Sequence, residues 1–166
     1  MLLVSCSSQP ERTNLLAGKV TRVVSGQTIE VLLTGASEAT SVRIIGIDAP
    51  DLRQSPWGEA AKQKLSELVM GLPIKLELED NQSDNPTGML RDRFNRLNAH
   101  LWQNQTLVSQ QLVESGCVLA NDSYEHKYSK LLMESREYAR LMGYGIWNPN
   151  LPMRYTPRQF RSMNKQ

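Results

Sequence analysis

The order in which strand-like and helix-like patterns follow one another constrains the fold of this chain more than any other feature. Lys19–Leu33 carries β-branched alternation on both sides of a Ser25-Gly26 turn signal, which predicts two strands joined by a tight turn. Ser41–Ile47 predicts a third strand. Pro73–Glu79 alternates strictly between apolar and polar residues and predicts a fourth, and Asn98–Gln103 predicts a fifth.

Helical patterns fall between and after these strands. Ser55-Pro56 is typical of a helix start with serine as N-cap, and apolar residues then recur at spacings of three and four. Leu107–Ser115 and Tyr128–Leu141 predict two later helices. Five strands, with one helix after the third and two at the end, predict a mainly β, α+β fold. We expect a five-stranded OB-type Greek-key barrel capped by about three helices.

Length and charge indicate one domain with short extensions. The chain has 166 residues, and 40% of them are hydrophobic, which suits a single core. Residues 1–17 read as a polar tether, 18–150 as the domain and 151–166 as a basic tail. The net charge of the chain is +2. The tail alone carries +4, so residues 1–150 carry −2. The body is therefore not a generic polyanion binder, and any nucleic acid would need a local site or the tail. We expect a monomer.

The cysteines bear on where the protein resides. Leu3–Cys6 resembles the end of a lipoprotein signal, although only five residues precede Cys6. One interpretation is a lipidated Cys6, with the basic tail as a second membrane contact, and hence a membrane-anchored or exported protein. The other is a chance match, a solvated tail and a cytoplasmic protein. Cys117 is predicted to be a buried small hydrophobe.

Four charged residues lie next to predicted strand ends. Arg43 is set in an apolar strand, Asp48 and Asp51 follow that strand, and Arg96 precedes the Asn98 strand. Arginines can bind a phosphate through two N–H groups, and carboxylates can hold a hard cation or deprotonate a water. The alternative is structural ion pairing around an Asp-x-Pro turn.

The motifs of this sequence resemble those of the staphylococcal nuclease family. They occur in the family's order over Gly18–Trp147, and they comprise Val24–Ile29, Val42–Asp51, Gly58–Ala60, Asp92–Arg96, Leu107–Gly116 and Gly145–Trp147.

The resemblance implies a site for phosphodiester hydrolysis with Ca²⁺ as cofactor. Arg43 and Arg96 match the two arginines that bind the scissile phosphate in that family. Asp48 matches one metal-binding aspartate, and the backbone carbonyl of Ala49 could serve as a further ligand. Asp51 holds the position of the carboxylate that assists the attacking water.

The sequence departs from the family pattern at the metal–water unit. Gln27 stands where the family has its second metal aspartate, and Ser25 replaces another acid in the same turn. The loss of formal negative charge predicts weak cation binding. Asp51 is one methylene shorter than the family's glutamate, and a misplacement of about 1 Å can cost about 10²-fold in rate. Glu30 and Asp84 are possible stand-ins.

Three further residues are predicted to contact substrate. Phe94 could stack a base, and Arg93 keeps a cation beside it. Tyr124 is either a second aromatic for a nucleotide or a core or surface tyrosine. His100 and His126 are predicted to be isolated, without metal-ligand spacing, and His100 is predicted to point outward from its strand.

Three functions stay open on these grounds. The first is a Ca²⁺-dependent nuclease that cleaves DNA or RNA. The second is a catalytically degenerate domain that binds nucleic acid without cutting it. The third is a membrane-associated subunit that assembles with other proteins.

Overall fold

The computed structural model describes residues 15–79 and 91–164. The strands are β1 (Leu15–Ser25), β2 (Thr28–Leu33), β3 (Ala39–Ile44), β4 (Ile47–Asp48), β5 (Pro73–Glu77), β6 (Leu97–Gln103), β7 (Thr106–Leu107) and β8 (Leu119–Ala120). The helices are α1 (Trp57–Val69), α2 (Val108–Glu114), α3 (Ser129–Met142) and α4 (Pro157–Met163), with a 3₁₀ turn at Gly145–Trp147. Cys6 and Asp84, which the sequence analysis singled out, lie outside the described residues.

Five long strands close into a barrel. They are ordered β3-β2-β1-β5-β6, and a parallel pairing of β3 with β6 joins the two ends. Register shifts within β1, at Val20–Arg22 and Val23–Ser25, mark irregularities of the kind that bend a strand, and β1 pairs with both β2 and β5. The expected five-stranded, OB-type α+β barrel is thereby confirmed.

The apolar faces of strands and helices meet inside this barrel. Alternation along β5 buries Ile74 and Leu76, and α1 buries Ala61, Leu65 and Val69. Helix α2 buries Val108, Leu112 and Val113. None of the helices in the described ranges has the length and apolar character needed to cross a bilayer.

Two details of the helices differ from the sequence analysis. Helix α1 begins at Trp57 and its N-cap is Pro56, so Ser55 does not cap it. The segment expected to be a basic tail contains a fourth helix, α4, whose N-cap Thr156 forms a reciprocal capping box with Gln159. A threonine followed by proline and, three residues on, by glutamine is a helix-start signal that the sequence did carry.

Candidate active site

Arg43 lies in the middle of the closed barrel wall. Strand β3 pairs it with Thr28 of β2 on one side and with Asn98 of β6 on the other. Its guanidinium donates to the carbonyl of Ile44 and, over 2.7 Å, to that of Ile47. The turn at Gly46, whose φ of +82° suits glycine, connects these two carbonyls. The guanidinium of Arg43 is therefore held by the backbone that connects β3 to β4.

The charge of Arg43 is kept despite its surroundings. Burial lowers its pKa to about 10, while Tyr124 and Asp48 raise it and the guanidinium groups of Arg96 and Arg161 lower it. Because this pKa stays well above 7, Arg43 is cationic at neutral pH. The four neighbours also show that Arg43 lies within electrostatic reach of two further arginines.

Arg96 is fixed by Asp92 just before β6. Its Nε and Nη2 donate to Asp92 Oδ2 over 2.8 and 2.7 Å, and its Nη1 donates to Thr28 Oγ1 over 3.1 Å. Asp92 Oδ1 also accepts the backbone N–H groups of Phe94 and Arg96. Burial tends to raise the pKa of Asp92, but these hydrogen bonds outweigh it and hold that pKa below its usual value. Thr28 thus connects Arg96 to the strand position opposite Arg43.

An exposed aromatic ring lies beside these arginines. Phe94 is 64% exposed, with the guanidinium carbons of Arg93 and Arg96 at 4.7 and 5.2 Å from its ring centre. A solvent-facing ring next to cations can stack a nucleobase while the cations meet the phosphate. The structure therefore places Arg93 and Phe94 next to Arg96, and their role as substrate contacts stays a prediction.

The three expected metal ligands also lie together. Gln27, in the turn between β1 and β2, accepts the backbone N–H of Ala49 at its Oε1 over 2.7 Å. Asp48 Oδ1 accepts from Arg161 Nη2 over 2.7 Å, and the Ala49 carbonyl accepts from Arg161 Nη1 over 3.3 Å. Every one of these oxygens is accordingly engaged by a donor of the protein.

As arranged, these oxygens do not fit a calcium ion. Calcium takes six to eight oxygens and depends on their negative charge. Asp48 is the one carboxylate of the three, and the guanidinium of Arg161 neutralises it. Arg161 was not predicted to be a site residue, because its position in the basic terminal segment indicated a solvated cation or a membrane contact.

The carboxylate of Asp51 is paired with a neighbouring cation, Arg53. Its Oδ1 accepts the backbone N–H and Nε of Arg53, both over 2.9 Å, and its Oδ2 accepts Nη2 over 3.1 Å. Hydrogen bonding from Arg53 lowers the pKa of Asp51, so the carboxylate is ionised at neutral pH. The Arg53 side chain is 64% exposed, and such pairs are weak in water. The ion pair with Arg53 is therefore expected to hold Asp51 only weakly.

The two histidines correct an expectation. His100 was predicted to point outward, yet it is fully buried, and its ring centre lies 5.4 Å from that of His126. His100 Nε2 contacts Glu79 Oε1 at 2.7 Å, and Tyr128 packs edge-on against His100. The prediction failed because the segment that leads into α3 covers this face of β6. This segment places His126 and Tyr128 over His100, a position that alternation alone predicts to be exposed to solvent.

Glu79, His100 and His126 are also a possible metal-ligand group. One ligand atom from each lies within 4.8 Å of the others. Glu79 Oε1 already accepts from His100 Nε2 and from the backbone N–H of Lys127. Burial lowers the pKa of His126 to about 4, helped by the nearby His100 and opposed by Glu79, so His126 is neutral at pH 7. Tyr124 lies between this cluster and Arg43: its ring centre is 5.9 Å from that of His126, and burial raises its pKa.

Comparison with known proteins agrees with this geometry. The family model described as "Staphylococcal nuclease homologue" matches residues 41–149, which include Arg43, Asp48 and Arg96. Gln27 and Arg161 lie outside that stretch.

Several curated proteins are similar over most of the chain. Protein ParB of Escherichia coli is 27% identical over 80% of this chain and 73% of its own length. The SPbeta prophage-derived endonuclease YokF of Bacillus subtilis (strain 168) is 29% identical over 78% of this chain but only 43% of its own length. An uncharacterized endonuclease of E. coli O157:H7 is 26% identical over 82% of this chain and 80% of its own length. Because the family model covers more than half of the chain and the barrel carries the arginine pair, the chain belongs to the staphylococcal nuclease family.

Proposed function

We propose that this protein binds nucleic acid through its phosphodiester groups and hydrolyses them. The observation that carries the proposal is that Thr28 is the cross-strand partner of Arg43 and accepts a hydrogen bond from Arg96, while oxygens of the protein hold each guanidinium. Two guanidinium groups fixed in advance can bind the non-bridging oxygens of a phosphodiester. They also stabilise the negative charge that builds up on phosphorus during attack by water.

The remaining groups have defined parts in this proposal. Asp51, once released from Arg53, accepts the proton of the attacking water. Phe94 stacks the neighbouring base, and Arg93 adds positive charge beside it. Tyr124 lies within electrostatic reach of Arg43 and is the second aromatic side chain that we expect to contact a nucleotide.

Calcium binding is expected to be weak. An ion at Asp48 and the Ala49 carbonyl would have to displace Arg161, and Gln27 would offer it a neutral oxygen. The relatives named as endonucleases support the class of reaction but leave its metal requirement and its preference for DNA or RNA as questions for experiment.

A binding protein without turnover is the second candidate. It is favoured by two contacts, the Arg53–Asp51 pair and the Arg161–Asp48 pair, since both engage carboxylates that hydrolysis would use. A membrane-associated assembly role would depend on Cys6, which is outside the described residues.

Cleavage of labelled single-stranded DNA and RNA by the full chain tests the proposal. We would run it with Ca²⁺, with Mg²⁺ and with EDTA, and compare Arg43→Lys and Arg96→Lys with the control Arg22→Lys. Arg22 pairs with Glu30 on the exposed side of β1 and has no part in the site. A lysine cannot bind a phosphate through a planar pair of N–H groups, so we expect cleavage to be about 10²-fold slower in both site variants. The control variant should cleave at the wild-type rate.

The outcomes separate the candidates. Salt-sensitive binding without cleavage under every metal condition would favour the binding protein. Cleavage that survives both site variants would refute the assignment of the arginines. Absence of both binding and cleavage would exclude a nucleic-acid function for the described site.

A further inference from the structure

The contact between α4 and Asp48 places a protein cation where the family pattern implies a metal. Arg161 donates to Asp48 Oδ1 over 2.7 Å and to the Ala49 carbonyl over 3.3 Å. These are two of the three oxygens that the sequence pattern assigned to calcium. A guanidinium that bridges a carboxylate and a carbonyl neutralises the same oxygens that a bound cation would neutralise.

The position of Arg161 is built into the fold. Helix α4 begins with the Thr156 capping box and buries Pro157. Just before it, the buried side chain of Gln54 donates to the Tyr155 carbonyl over 2.7 Å, and Met153 donates its N–H to the Ile146 carbonyl. Docking at several points holds the helix close to the end of β4, which carries Asp48, so the guanidinium of Arg161 has a fixed position.

The guanidinium keeps the capacity to bind a ligand. Arginine has five N–H donors, and the contacts with Asp48 and Ala49 use two of them. The Arg161 side chain is 37% exposed and that of Asp48 is 18% exposed, so the arginine is the more accessible partner of the pair.

Three arginines surround this one carboxylate. Asp48, Arg96 and Arg161 each act electrostatically on Arg43, which shows that all four charges lie close together. With Asp92, which pairs with Arg96, three cations and two carboxylates leave a local charge of +1. Like charges held together in this way repel one another, and a bound phosphate would relieve that repulsion.

We propose that Arg161 takes the place of the metal ion, as a third phosphate-binding guanidinium, so that this protein binds phosphodiesters without a divalent cation. The proposal rests on the proposed function, because it assigns a further substrate-binding residue to the same site. Arg43 and Arg96 bind the phosphate from the barrel wall, and Arg161 binds it from the C-terminal helix. No metal is needed for this binding step, since Arg161 already balances the charge of Asp48.

Binding measured apart from cleavage tests the proposal. The probe is a fluorescent single-stranded phosphorothioate DNA, which resists hydrolysis, and its anisotropy is followed with the full chain in excess EDTA at low salt. The variants are Arg161→Ala, Arg161→Lys and the matched control Arg158→Ala. Arg158 is an exposed arginine on the same helix, so its removal changes the net charge by the same amount. Thermal unfolding of each variant checks that the domain stays folded.

We expect the wild-type chain to bind in EDTA and Arg161→Ala to bind at least 10-fold more weakly. Arg158→Ala should change affinity by less than about 3-fold, because it removes one charge of the helix but keeps the contacts of Arg161 with Asp48 and Ala49. Arg161→Lys should recover part of the loss, since a lysine keeps the charge without the planar pair of N–H groups. In Arg161→Ala, added Ca²⁺ should strengthen binding, because Asp48 and the Ala49 carbonyl are then free to bind it.

Other results would overturn the proposal. Equal affinities of the Arg161→Ala and Arg158→Ala variants would show that Arg161 does not contact the phosphate. Tighter binding by Arg161→Ala in EDTA would show that the helix blocks the site. Wild-type binding that requires Ca²⁺ would refute this inference and leave the proposed function standing, whereas no binding with or without Ca²⁺ would refute both.

Discussion

Lowering the pH towards 4 should destabilise the fold through His126. This side chain is 7% exposed, and burial lowers its pKa from 6.5 to about 4, with His100 acting in the same direction and Glu79 against it. In the unfolded chain it binds a proton below pH 6.5, whereas in the folded protein it does so only below about 4. The neutral form therefore contributes stability that is fully present above pH 6.5 and is lost as the pH falls through this window.

The size of the effect follows from the two pKa values. A pKa lowered from 6.5 to about 4 corresponds to about 3 kcal/mol, and most of it should be lost by pH 4.5. Carboxylates with lowered pKa values begin to lose their contributions only near the lower end of this range. The pKa values of Glu79 and Asp92 are lowered from 4.5 and 3.8, so their contributions disappear only below those values.

Urea denaturation between pH 7.5 and 4.5 measures the effect, with His126→Asn as the comparison. The asparagine oxygen can still accept the backbone N–H of Tyr128, which His126 Nδ1 accepts over 3.3 Å. We expect the free energy of unfolding of the wild-type chain to fall by about 2–3 kcal/mol more than that of the variant. Parallel pH profiles for the two proteins would show that His126 is not the group responsible.

Three changes near the site have equally defined outcomes. Asp92→Ala removes the carboxylate that orients Arg96, and we expect the affinity for single-stranded DNA in the anisotropy assay to fall about 10-fold or more. An unchanged affinity would refute the orienting role of Asp92. Gly58→Ala would place a Cβ 2.0 Å from the Asp51 carbonyl, so the loop must move; thermal unfolding should show a loss of about 1–3 kcal/mol, and an unchanged midpoint would contradict the contact. Phe94→Leu removes an exposed ring that supports nothing in the core, so oligonucleotide affinity should fall by about 1–3 kcal/mol while the unfolding midpoint stays constant; a shifted midpoint would count against a stacking role.

The barrel itself could be predicted because its strands carry local signals. Alternation in Pro73–Glu79 matches the two buried positions of β5, and the pattern over Tyr128–Leu141 matches α3 to within one residue at each end. Such patterns depend on the period of the backbone and need no knowledge of distant segments. The arginines could likewise be located, since the strand ends that carry them are fixed by those same patterns.

The features that escaped prediction depend on contacts between distant segments. Alternation predicts that the His100 side chain points away from the barrel interior, and only the packing of the segment before α3 buries it. Arg161 meets Asp48 across 113 residues of chain. No local pattern encodes such a meeting, although the capping signal at Thr156 could have identified the helix that makes it possible.

The parallel pairing of β3 with β6 has a thermodynamic consequence. It sets Arg43 beside Asn98, two residues beyond Arg96, so the two arginines become neighbours only when the last seam of the barrel closes. A ligand that bridges them binds the closed barrel and has no equivalent partner in the unfolded chain. At 100 times its dissociation constant, such a ligand would stabilise the folded state by about 2.7 kcal/mol. Ligand binding and closure of the barrel between β3 and β6 are thus coupled. A ligand that bridges the two arginines should therefore raise the melting temperature of the whole domain.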